Sequence, residues 1–176
     1  MTPAQLEQAQ EMARKCKASN FKDCETILGT AQNANAGTKE DALAAYNRKD
    51  YATALSLLRP LATQGDAWAQ FTLGFMYQNG QGVPKDAKET VRLYGLAATQ
   101  GNASAQISLG NMYRDGQGVP QDYVRAQMWF LLSVANGYSD ASQYRDEVAK
   151  KLNSSQIQQA QEMAQRCQAS SYKQCD

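Results

Sequence analysis

The residues of this chain best suited to chemistry are its four cysteines, which come as a duplicated pair. Cys16 and Cys24 stand eight residues apart, and so do Cys167 and Cys175. In an unbroken helix that spacing separates two residues by about 12 Å along the axis, beyond the reach of a disulfide. A bridge therefore needs a chain reversal between them, for which Ala18-Ser19-Asn20 and Ala169-Ser170-Ser171 are suited. The duplicated spacing predicts disulfides Cys16–Cys24 and Cys167–Cys175, and with them an oxidising compartment; four reduced thiols are the alternative.

Other reactive groups are scarce. The chain has no histidine, which removes imidazole as catalytic base, zinc ligand or physiological pH switch. A hydrolase would have to use serine with lysine or a carboxylate as base, and the Gly-x-Ser-x-Gly elbow does not occur. No catalytic residue, metal site or cofactor is expected. Eighteen basic and 17 acidic residues give a net charge of +1. Without a basic run to neutralise a row of phosphates, nucleic acid is not an expected partner. No apolar run approaches the roughly 18 residues needed to cross a bilayer, so direct membrane insertion is not expected. The start, Met1-Thr2-Pro3-Ala4-Gln5, lacks the basic end and apolar core of a signal peptide.

The cysteine pairs belong to a longer duplication. Gln5, Gln8-Ala9-Gln10-Glu11-Met12-Ala13, Cys16, Ala18-Ser19, Lys22 and Cys24 return as Gln156, Gln159-Ala160-Gln161-Glu162-Met163-Ala164, Cys167, Ala169-Ser170, Lys173 and Cys175, 12 identities in 24 aligned positions. Each copy reads as a capped helix, with Thr2 and Gln5 or Asn153 and Gln156 at capping-box spacing. Residues 1–28 are expected to be the terminal helix and Cys-pair tail of a preceding module in a longer tandem protein. Residues 29–37 then form a linker, and 153–176 the C-terminal capping helix and Cys-pair tail of this module.

Between the two copies lies a second repeat. Residues 66–101 and 102–137 are 36 residues each and agree at 15 positions. A fixed period of this length marks a solenoid, whose units bury their apolar faces against one another. Each unit reads as a first helix (about 66–78), a loop, and a second helix (about 86–99). Asp50, Asp86 and Asp122 are expected N-caps. Gly82 and Gly118 supply loop backbone angles that other residues avoid, and Gly65, Gly101 and Gly137 end the second helices. Residues 38–65 form a degenerate unit whose second helix Pro60 should end or kink near Arg59. Residues 138–152 form a half repeat, in which Arg145-Asp146 replaces Leu-Gly and suits a polar cap.

Ala69-Gln70-x-x-Leu73-Gly74-x-x-Tyr77-x-x-Gly80-x-Gly82-Val83-x-x-Asp86 resembles a Sel1-like repeat, the tetratricopeptide-related α/α unit, and its second copy matches equally. The resemblance implies an all-α fold, a right-handed α/α solenoid of helix pairs with polar capping helices. It also implies a protein-binding adaptor, which in bacteria is periplasmic or secreted. Cysteine-rich relatives are associated with penicillin binding or hydrolysis, but they carry cysteines in each repeat. Here none lies between Cys24 and Cys167, so no activity is carried across.

Comparing the two copies separates scaffold from surface. Identical positions are the contacts that every unit must repeat, and Gly74 and Gly110 let helices approach closely. The variable first-helix positions are Trp68, Phe71, Thr72, Phe75, Gln78 and Asn79 in one copy and Ser104, Ile107, Ser108, Asn111, Arg114 and Asp115 in the other. Their three- and four-residue spacing puts them on one helical face. Trp68, Phe71, Thr72, Phe75, Gln78, Ile107, Ser108, Asn111 and Arg114 are the candidate partner-binding residues. Leu93, Tyr94, Trp129, Phe130 and Leu132 are expected to pack between helices. The expected function is a non-enzymatic scaffold that binds another protein or peptide in a concave groove, with homo-association through exposed array ends left open. A cell-wall or β-lactam-directed hydrolase and a spacer in a longer tandem protein are the alternatives.

Overall fold

The computed structural model describes residues 38–175 and Arg14. Thr2, Cys16, Cys24 and the 29–37 linker, with the expectations placed on them, lie outside the described residues. From Thr38 onward there are eight helices and no strand: α1 (Lys39–Asn47), α2 (Tyr51–Thr63), α3 (Ala67–Asn79), α4 (Ala87–Ala98), α5 (Ala103–Asp115), α6 (Tyr123–Ala135), α7 (Ala141–Ala149) and α8 (Ser154–Ala169).

Local chemistry sets most of these boundaries. The carboxylates of Asp50, Asp86 and Asp122 each accept from a backbone N–H in the first turn of the helix they precede. Thr38 with Asp41, and Asn153 with Gln156, complete reciprocal capping boxes. Gly80 and Gly116 close α3 and α5 in the left-handed region. Pro60 does not end α2, which runs on to Thr63. Its missing N–H would have bonded the carbonyl of Ser56, an exposed residue that water can serve, so the usual proline penalty is softened.

Consecutive helices from α1 to α7 pack on one another in pairs. Close approach within a pair depends on glycine: a Cβ on Gly74 would lie 2.7 Å from the Tyr94 ring, and one on Gly110 2.6 Å from that of Phe130. Gln70 and Gln106 tie successive pairs together. Both are buried, and their amides donate to Ala62 O and Ala98 O at the end of the preceding second helix. Their carbonyls accept from Gln100 and Asn136 at the end of their own second helix. The Gly-x-Gly-Val-Pro loops are stacking surfaces as well. Gln81 bridges Tyr46 and Tyr51 of the preceding unit, and Gly118 lies directly over Ala87 at the start of α4.

The terminal helix breaks this order. α8 packs chiefly on α6, not on its chain neighbour α7. Its buried face, Ala160, Ala164 and Cys167, joins one core with Tyr94, Leu109, Met128, Trp129 and Leu132. After α8 the chain reverses through Ser171 and Tyr172, both at positive φ, and Cys175 returns to form a disulfide with Cys167. Tyr172 then exchanges hydrogen bonds with Asn136. Because both capping-box bonds at Asn153 serve α8, Asn153→Ala should cost about 1 kcal/mol of stability, measurable by thermal denaturation of the oxidised chain.

Candidate partner-binding face

In α3 the residues facing the core are Ala69, Gln70, Leu73, Gly74 and Met76. The opposite side carries Trp68, Phe71, Thr72, Phe75 and Gln78, as 3.6-residue geometry requires. Their environments differ. Phe75 is 39 % exposed, one of four large apolar side chains that open to water among the described residues. Thr72 is half-buried and bonds back to Trp68 O. Trp68 packs along one edge of the core of α1, α2 and α3, whereas Phe71 stacks on Tyr94 in the second helix of its own repeat, with centroids 5.6 Å apart, and packs on the core that this helix shares with α5 and α6.

On α5 the corresponding side is Ile107, Ser108, Asn111 and Arg114. Ile107 is buried with Ala126, Phe130, Ala141 and Val148, where α7 stacks on the pair α5–α6. The positions of Phe71 and Ile107 thus serve the contact between successive units. Ser108 and Asn111 are half-buried, and Asn111 Oδ1 is shielded without a hydrogen-bond partner.

Arg114 forms a two-point pair with Asp115 at 2.7 and 2.8 Å, and its guanidinium lies over the Tyr144 ring. The hydrogen bond from Arg114 holds the Asp115 carboxyl below its ordinary value, outweighing partial burial. Beneath the face, burial pushes the Tyr94 phenol up, against a hydrogen bond with Ser108. It stays protonated and donates to Gln78 at 2.8 Å. Tyr94 therefore fixes side chains on both first helices.

Tyr144 is the residue that sequence reasoning left out. It stands 36 residues after Ser108 and 72 after Thr72, and it stacks on Phe130 at 5.8 Å. Reading 138–152 only as a polar cap hid it, although the repeat register points to it. Arg145 and Asp146, which motivated that cap, pair with each other at 2.8 Å.

Among the described residues no cluster of acidic or cysteine side chains could hold a metal ion. Serine and lysine do stand at Ser-x-x-Lys spacing twice, at Ser19–Lys22 and Ser170–Lys173. In the described copy Ser170 is the C-cap of α8. Its hydroxyl donates to Cys167 O and accepts from Gln174 N. The left-handed Ser171 and Tyr172 remove the helical turn that would bring Lys173 over it.

Comparison with known proteins follows the same lines. The family model of the Sel1 repeat matches residues 69–102 and 103–138. Among solved structures, the chain is similar to a protective antigen present in uropathogenic Escherichia coli strains, which displays an SLR fold. The two share 28% identity at a TM-score of 0.72, over 86% of this chain and 34% of that one. It is also similar to a Sel1 repeat protein from Oxalobacter formigenes, with 29% identity and a TM-score of 0.52 over 61% of this chain and 96% of that one. The chain thus spans about a third of the length of the first of these relatives. No curated protein matches the sequence. Residues 69–138 are two Sel1 repeats, and the helices on either side extend them into one α-helical solenoid.

Proposed function

We propose that the chain is a protein-interaction scaffold without covalent chemistry, and that its partner, a protein or peptide segment, lies along the first-helix face. Sel1 repeats as a class mediate protein–protein interaction, and the solenoid supplies the rigid frame for it. The observation that carries the reading is Phe75. On a helix whose core positions agree between the repeats, this aromatic stands open to water where the other repeat has Asn111. Beside it, Thr72, Gln78, Ser108, Arg114 and Tyr144 make a strip that is apolar at one end and carries the Arg114–Asp115 ion pair and an aromatic ring at the other. Large side chains of this kind concentrate binding energy.

The buried disulfide Cys167–Cys175 supports a periplasmic or secreted location, and among the described residues no helix is long and apolar enough to cross a membrane. The test is capture from the source organism's envelope extract. A Phe75→Asn, Arg114→Ala variant that keeps the parent's circular dichroism and melting temperature should lose a captured partner. Each change of this size at a binding hot spot costs about 2 kcal/mol, roughly 30-fold in affinity. Undiminished capture by the folded variant places binding elsewhere, and capture of nothing by the parent favours a spacer.

A further inference from the structure

The opposite side of the solenoid holds a groove of about 570 Å³ between α2 and α4, floored by Gln70, Leu73 and Tyr77 of α3 and edged by Arg59, Arg92 and Leu96. One repeat later the same positions are Gln106, Leu109 and Tyr113, with Gly95, Met128 and Leu132. There the groove is filled. Leu109, Met128 and Leu132 share a buried core with Ala160, Ala164 and Cys167 of α8. Leu132 is fully buried, while its counterpart Leu96 is 41 % exposed. The tail behaves alike: a Cβ on Gly101 would meet the Tyr172 ring at 3.5 Å, whereas one on Gly65, the equivalent glycine, would meet nothing within 4 Å.

The chain contains a second sequence for such a seat. Every residue by which α8 and its tail enter the core, Ala160, Met163, Ala164, Cys167 and Cys175, has an identical counterpart in Ala9, Met12, Ala13, Cys16 and Cys24, and Tyr172 is matched by Phe21. We propose that the open groove between α2 and α4 receives the chain's own residues 2–25, seated as α8 is seated one repeat later.

Gln161, Ala164 and Gln168 of α8 line a cleft with Leu131, Leu132 and Ala135 of α6, and Tyr172 just past α8 bonds Asn136 just past α6, so the two helices run in the same direction. At the open groove Gln158 is answered by Glu7, and the edge is polar, with Arg92 held by Glu89 at 2.7 and 2.8 Å. The connection is short enough. Phe21 would lie near Gly65, as Tyr172 lies near Gly101, and the start of α1 is held at that end by the Lys39–Asp66 ion pair. The twelve residues between Glu25 and Thr38 span up to about 40 Å.

The proposal concerns the face opposite the partner-binding strip and is independent of it. It competes with the expectation that residues 1–28 close a preceding module. The test replaces Leu96 by the photo-crosslinker p-benzoylphenylalanine in the intact 176-residue chain, with light and heavy chains mixed before irradiation. The expected product joins position 96 to residues 6–17 of the same chain. Adding Ala13→Arg should cut its yield about tenfold or more, because an unpaired charge would enter an apolar seat. With Leu96 intact, the same Ala13→Arg change should raise hydroxyl-radical oxidation of Leu96. Light–heavy adducts at the statistical share for random pairing would overturn the proposal in favour of a second copy in the groove. Absence of any adduct on residues 2–25 would overturn it in favour of a seat elsewhere.

Discussion

Trp129→Ala is expected to destabilise the protein by about 3–5 kcal/mol, the usual cost of truncating a buried Trp. For a chain of this size that lowers the melting temperature by roughly 6–20 °C. The effect should be large because Trp129 is only 3 % exposed and lies where α4, α5, α6 and α8 share one core. The cavity would open between the repeats and the terminal helix, so amide exchange in α8 should accelerate more than in α1 or α2, which belong to a separate cluster. Thermal denaturation and hydrogen exchange measure the two parts. A loss under about 1 kcal/mol would mean that α8 is not part of the core.

Gly118→Ala should cost roughly 2–4 kcal/mol, through two effects that a control separates. Gly118 has φ +74°, and its Cβ would stand 2.3 Å from Ala87 O in the backbone of α4. A backbone oxygen cannot rotate away, so the loop and the preceding unit would have to part. Gly116 has a similar φ of +68°, but the nearest atoms to its Cβ lie 3.4 Å away. Gly116→Ala therefore carries only the conformational term, about 1 kcal/mol. Chemical denaturation of both variants gives the difference. Equal costs would show that the loop does not act as a contact between units.

The scaffold was legible because repetition makes its grammar redundant. Asp86 and Asp122, Gly74 and Gly110, and Gln70 and Gln106 recur at the same register, and each pair has the same partners in space. The candidate face was less legible, for a physical reason. Phe71 and Ile107 vary between copies as surface positions do, but each packs on the aromatic of its own second helix, Tyr94 or Phe130, and only the neighbour beyond differs: the core containing α5 for Phe71, α7 for Ile107. Variation marks freedom from the repeat rule, and packing at the end of an array is one such freedom. Tyr144 shows the converse, because its role emerges only when the half repeat is set against both full ones. The position of α8 had no local signal at all. Its capping box and its Ala-x-x-Met-Ala-x-x-Cys face specify a helix with a narrow, small-residue seam, and only the fold shows that the seam lies on α6.

The most direct test of the partner-binding face is hydroxyl-radical footprinting of the chain, free and with its captured partner, read at Phe75 and Tyr138. The two are matched in exposure, at 39 % and 38 %, but Phe75 is in the proposed strip and Tyr138 lies beyond the end of α6. Oxidation of Phe75 should fall several-fold on binding while that of Tyr138 stays constant. Protection of Tyr138 with Phe75 unchanged would contradict the assignment.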